Sequence, residues 1–345
     1  WHFFIFIAPA KQYKGIVVPT LTIFWKEYQI DHSAQELLIR HVIKNEADVL
    51  FLLGSTGEGQ FIQKRIPRER RVVLTATRDA LIKEGKPIPV IVGIFGNTPE
   101  EVREQYHLLN EMQAHIRDDE LISGYVLSPP LDIKLSDDDL LEYLDKITAV
   151  ISNIPVFIYN NPSRFGGNMI PLDVYEKLLE KHENIVGIKD STKDLTYKGK
   201  IIDLIRNYKE KCFYTGSEGD YFQCLELAAE DAKDKVGCIP SISNVLSLPQ
   251  EIKNAYLAGN QAKAQQIQDD LNAIRNRIYH APKYPGKAQR GGKLALAMLY
   301  PDSSLDRDVI VEPAYKKAIT KEDRASIRLA LDEAIENNYI LDRVD

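Results

Sequence analysis

Eight short apolar runs, each followed by a longer stretch of helical periodicity, constrain this chain more than any other feature of it. They are GIVVPTLTIF (15–24), VLFLLGS (49–55), PVIVGI (89–94), SGYVLSPP (123–130), PVFIYNNP (155–162), IVGIKDS (185–191), CFYTGSE (212–218) and VGCIPSIS (236–243). The runs are apolar throughout rather than alternating, as expected of parallel strands covered by helices. Eight such strand–helix units predict an α/β chain folded as a (β/α)8 TIM barrel. A doubly wound sheet is the rival, but its first turn usually carries GxGxxG, and VVPTLTIF does not.

The intervening stretches carry helix signals. Ser33, with Glu36 three residues on, has capping-box spacing. Pro99 suits a first helical position, and Ser136 precedes three aspartates that complement a helix dipole better than they suggest a metal cluster. Strand signals stop after residue 245, and three or four helical stretches fill 247–338, predicting a C-terminal helical extension packed on the barrel. The expected organisation is an extra N-terminal segment (1–14), a barrel (15–245) and the extension (246–345). APKYPGKAQRGGK (281–293) reads as a solvated connector, with an anion site as the sharper alternative.

Composition excludes several functions. A 345-residue chain with 44% hydrophobic residues can bury a large core. A net charge of −6 argues against nucleic acid or an anionic membrane surface as partner. Three widely spaced cysteines fit reduced thiols in a cytoplasmic protein, and the seven histidines form no zinc spacing. The apolar run near the N-terminus is too short to span a membrane.

Chemistry in a barrel gathers at the C-terminal ends of the strands. The second strand ends in GSTGEG (54–59), where Gly54, Ser55 and Thr56 offer backbone amides and hydroxyls to a carboxylate or phosphate. It is not a P-loop. The fifth ends in YNNPSRFGG, with Tyr159 a candidate proton carrier and Arg164 a candidate carboxylate clamp. The sixth ends in Lys189. Lysine is seldom buried, and burial lowers its pKa toward the free amine that attacks a ketone. A salt bridge to Asp190 is the plain alternative, weakened because adjacent strand residues face opposite ways. Tyr159 and Lys189 lie one βα unit apart, on neighbouring strands and near the same rim.

Taken together, GSTGE (54–58), YNNP (159–162), GIKDS (187–191) and GCIPSISN (237–244) give the chain a resemblance to the dihydrodipicolinate synthase / N-acetylneuraminate lyase superfamily of class I aldolases, over about residues 15–338. The resemblance implies a (β/α)8 barrel with C-terminal helices, usually a homotetramer. It implies that Lys189 forms an imine with pyruvate or a pyruvate-yielding 2-keto acid, and that Tyr159 shuttles protons assisted by Thr56. Ser55, Thr56 and their amides would hold the carboxylate, with Gly216 and Ile239 lining the pocket. No metal or organic cofactor is implied. Arg164 matches the arginine by which the synthases hold an acidic aldehyde. Against this, the synthases' interface tyrosine has no counterpart between Ser128 and Asp139, and GST in place of GTT leans toward sialic-acid lyases and other aldolases. Three functions are therefore expected in turn: a synthase-like lyase, a 2-keto-3-deoxy sugar acid or N-acetylneuraminate-type aldolase, and a keto-acid-binding barrel without turnover.

Overall fold

The computed structural model describes residues 13–341 and 344, except 27, 28, 117, 119, 152, 281–285, 302 and 304–319. Its eight-stranded sheet is entirely parallel and runs in chain order: β1 (Val17–Pro19), β2 (Val49–Leu52), β3 (Val90–Gly93), β4 (Gly124–Leu127), β5 (Val156–Asn160), β6 (Ile185–Asp190), β7 (Cys212–Thr215) and β8 (Val236–Cys238). A parallel bridge from Ile16 to Cys238 closes the sheet on itself. The eight predicted strands are all present, and the fold is a (β/α)8 barrel.

Two apolar layers explain why the strands do not alternate in polarity. Val49, Phe51, Phe157, Tyr159, Cys212 and Tyr214 fill the barrel interior, while Leu50, Leu52, Ile158 and Phe213 face outward under the helices. Tyr13 closes the bottom of this interior. Its hydroxyl donates to the Ser123 carbonyl at 2.6 Å, and its ring meets Phe157 edge-on at 5.3 Å. This residue, placed by the sequence in the N-terminal segment, thus packs as part of the barrel; residues 1–12 of that segment lie outside the described residues.

Among the described residues, eight α-helices follow within the barrel portion: α1 (His32–Lys44), α2 (Gly59–Arg65), α3 (Arg70–Glu84), α4 (Pro99–Ile116), α5 (Asp137–Val150), α6 (Leu172–Lys181), α7 (Leu195–Arg206) and α8 (Tyr221–Leu227). Pro99 opens α4 and Ser136 caps α5, as predicted. The cap of α1 is Asp31, not Ser33: a short hairpin (Phe24–Lys26 with Gln29–Ile30) delivers the chain at Asp31, whose carboxylate accepts from Ala34 N–H at 3.0 Å.

Among the described residues, four α-helices form the extension: α9 (Leu248–Leu257), α10 (Gln261–His280), α11 (Lys287–Leu299) and α12 (Lys321–Glu336). In place of the solvated connector expected over 281–293, much of this stretch is helix. Residues 281–285 lie outside the described residues, but from Lys287 the chain is helical. Gly291 makes a helix contact rather than a turn, since a Cβ there would fall 2.2 Å from the Ile278 carbonyl oxygen of α10. No helix among the described residues is long and apolar enough to cross a membrane.

Candidate active site

A register shift in β6 decides where Lys189 points. Val156 pairs with Ile185, but Phe157 pairs with Gly187, so β6 carries one extra residue there. Ile185 and Ile188 consequently both join the outer layer. Strict alternation from Ile185 would send Lys189 outward under the helices; the bulge turns it into the barrel. Its ammonium nitrogen lies 3.9 Å from the centre of the Tyr159 ring and 5.1 Å from that of Phe51.

Lys189 is 5% exposed and makes no ion pair with a carboxylate among the described residues. Asp190 faces the other way, accepting from Asn160 Nδ2 at 2.7 Å and Thr192 Oγ1 at 2.5 Å, so the salt-bridge alternative is absent. Burial pushes the Lys189 pKa down, only partly opposed by Tyr159, Cys238 and Glu218. Tyr159 is its register partner on β5. Burial pushes that phenol up, but the Lys189 charge, hydrogen bonds from Asn161 and Ser191, and the Arg164 charge outweigh it and bring the pKa below its ordinary value. The pair is one coupled acid–base unit at the rim. Phe165 packs edge-on against the Tyr159 ring at 5.0 Å and fixes its plane.

Gly216 follows β7 and leaves room that its neighbours use: a Cβ there would meet Ser191 Oγ at 1.9 Å and Lys189 Cε at 3.1 Å, so Ser191 would have to move. Ile239, after β8, is buried in the inner layer, its amide bonded to the Thr215 carbonyl at 2.8 Å. Asn244, the last residue of GCIPSISN, ties the ends of β1 and β8 together by accepting from Leu21 N–H and donating to the Pro19 carbonyl, each at 2.9 Å.

The Gly54–Gly59 turn after β2 closes through Gly59 N–H to the Gly54 carbonyl at 3.0 Å. The Ser55 hydroxyl is buried without a hydrogen-bond partner among the described residues. The Thr56 hydroxyl pairs with Ser241 at 2.7 Å, not with Tyr159. The extension braces this turn in a way the sequence does not announce. Lys293 of α11 forms an ion pair with Glu58 at 2.5 Å, both side chains 1% exposed, and Gln289 donates to the Ser55 carbonyl at 3.1 Å. Glu58 itself has a left-handed backbone, φ 55°.

Arg164 stands apart from the enclosed pair: its side chain is exposed, on the loop that follows β5. Ser191 and Asn161, which the sequence reading passed over, both bond the Tyr159 hydroxyl, Asn161 Nδ2 at 3.0 Å and Ser191 Oγ at 3.4 Å. Ser191 could have been found by strand alternation, two residues beyond Lys189.

The sequence profile of the Dihydrodipicolinate synthetase family matches residues 12–288. The chain belongs to this family. As a member it is an enzyme of the lyase class. A 4-hydroxy-tetrahydrodipicolinate synthase from Alkaliphilus oremlandii is 30% identical over 260 residues, covering 74% of this chain and 80% of that protein. Among solved structures, YagE, an Escherichia coli K12 prophage protein of the dihydrodipicolinic acid synthase family in complex with pyruvate, superposes with a TM-score of 0.74 at 22% identity, over 93% of this chain and 98% of that one. A catalytic-lysine mutant of Ruminococcus gnavus sialic acid aldolase gives 0.77 at 19%, over 96% and 99%. These two likenesses establish the fold.

Proposed function

We infer that the chain is a Schiff-base-forming, pyruvate-dependent lyase of synthase-like type, which condenses pyruvate with an acidic aldehyde or cleaves the corresponding 2-keto acid. The observation that carries this is the buried amine of Lys189, in no ion pair with a carboxylate among the described residues and set against the Tyr159 ring at 3.9 Å. Such an amine is a nucleophile toward a keto carbon. Tyr159 supplies and removes protons, Ser55 and Thr56 hold the pyruvate carboxylate, and Gly216 and Ile239 leave and line the space for it. The pyruvate complex of the Escherichia coli prophage protein supports the choice of keto acid. The protonated imine serves as electron sink, so this chemistry calls for neither metal nor organic cofactor. A homo-oligomer, tetramer or dimer, completes the proposal.

A second reading, a 2-keto-3-deoxy sugar acid or N-acetylneuraminate-type aldolase, is favoured by one feature. Between Ser128 and Asp139 there is no tyrosine, and this loop is bonded within its own chain: Asn168 donates to the Ile133 carbonyl at 2.7 Å and accepts from Leu135 N–H at 2.9 Å. Condensation and retro-aldol assays with aspartate semialdehyde, glyceraldehyde, glyoxylate and N-acetylmannosamine decide between them. For the first reading, Arg164→Ala should raise KM for the acidic aldehyde about tenfold or more, through loss of a charged hydrogen bond, and leave the pyruvate step intact. Turnover of neutral sugar aldehydes alone, unaffected by that substitution, would select the second.

A further inference from the structure

Tyr159 is enclosed, so a proton its phenol gives to a substrate must be renewed through a neighbour. Besides Lys189 itself, two side chains bond its hydroxyl. The Asn161 amide nitrogen only donates, whereas the Ser191 hydroxyl can donate and accept at the same time. Of the two, only Ser191 can pass a proton onward. In the turn after β2 the Thr56 hydroxyl bonds Ser241 rather than Tyr159, and the Ser55 hydroxyl bonds no described residue. Ser191 is half-buried, standing between the closed interior and water. Its place is fixed from two sides. Its amide donates to the Asn160 carbonyl at 3.0 Å, and its Oγ fills the space beside Lys189 Cε that any side chain at residue 216 would take.

Resting on the reading of Lys189 and Tyr159 given above, we propose that Ser191 is the proton-relay residue that links the buried Tyr159 hydroxyl to solvent. In imine formation the Lys189 nitrogen bonds to the keto carbon, and the carbonyl π pair moves to oxygen, which takes the phenol proton. The nitrogen then returns its surplus proton to the phenolate. Loss of the carbinolamine hydroxyl as water breaks the C–O bond and consumes one proton, which enters through Ser191 and Tyr159. Removal of a C3 proton from the iminium turns the C–H pair into the enamine double bond and returns the C=N pair to nitrogen. That proton leaves by the same path. Each passage breaks and makes one O–H bond at Tyr159 and one at Ser191, with water as the only further reactant.

The test follows exchange of the pyruvate methyl protons with D2O by NMR, in the full-length wild type, Ser191→Ala and Ser191→Cys, alongside borohydride trapping and thermal unfolding. Ser191→Ala should slow exchange about a hundredfold, the scale of a lost proton-transfer group. It should still reach the wild-type extent of trapped pyruvate on Lys189. Added imidazole should restore exchange in Ser191→Ala and leave wild type unchanged, and Ser191→Cys, which keeps an exchangeable proton, should recover part of the rate. Exchange in folded Ser191→Ala as fast as in wild type, or a slow rate that imidazole does not touch, would overturn the relay. Should the alanine variant not fold, Ser191→Gly answers by the same measures. Absence of both adduct and exchange in wild type would instead overturn the reading of Lys189.

Discussion

Replacing Lys293 with methionine removes a cation from a place where water cannot stand in for it. The ammonium lies 2.5 Å from Glu58, both side chains are 1% exposed, and the nitrogen also sits 4.8 Å from the centre of the Phe24 ring. At an effective dielectric near 20, charges about 3 Å apart attract by about 5–6 kcal/mol, against which desolvation must be set. Methionine keeps most of the volume, so the loss is electrostatic. Removing one partner of a buried pair costs about 3–5 kcal/mol, because the other charge remains buried. Urea unfolding of Lys293→Met should therefore show a loss of about 4 kcal/mol, with most of it recovered in Glu58→Gln/Lys293→Met. The same pair holds the turn bearing Ser55 and Thr56, so KM for pyruvate should rise while Lys189 can still be trapped. A loss below about 1 kcal/mol, or a double variant no better than the single, would refute this assignment.

Gly216→Ala places a methyl where Ser191 Oγ and Lys189 Cε already lie. It should cost about 1–3 kcal/mol in unfolding experiments and, by displacing the amine, about a hundredfold in kcat/KM. Because burial lowers the Lys189 pKa, the rate of borohydride trapping should rise with pH and level off below 10.5, the ordinary lysine value; a rise that continues through it would show a solvated amine. Asn161→Ala removes a hydrogen bond that favours the phenolate, so the pH profile of methyl-proton exchange should move upward without loss of trapped adduct.

The barrel was legible because its strands are covered on both faces, and runs such as VLFLL and PVFIY can be satisfied only between a filled interior and a helical shell. Lys189 stood out as a charge closing such a run, but its direction did not. A period of two counted from Ile185 puts it on the wrong face, and only the added residue opposite Val156–Phe157 corrects that. The helical setting of Gly291 is hidden in the sequence for a related reason. Glycine marks both turns and close helix approach, and the distinction rests on Ile278, which is distant in sequence until α10 and α11 pack. Lys293–Glu58 and Gln289–Ser55 share this character: each joins residues more than two hundred positions apart, and neither lysine nor glutamate signals burial beforehand. Asp31 and Ser33 offer equivalent caps, and the hairpin preceding α1 chooses between them.

Reduction with borohydride in the presence of pyruvate, followed by peptide mass analysis, asks whether Lys189 is the nucleophile. One pyruvate-derived adduct per chain is expected, located on Lys189, dependent on pyruvate and absent from Lys189→Met. An adduct on another lysine, or none on a folded protein, would contradict it.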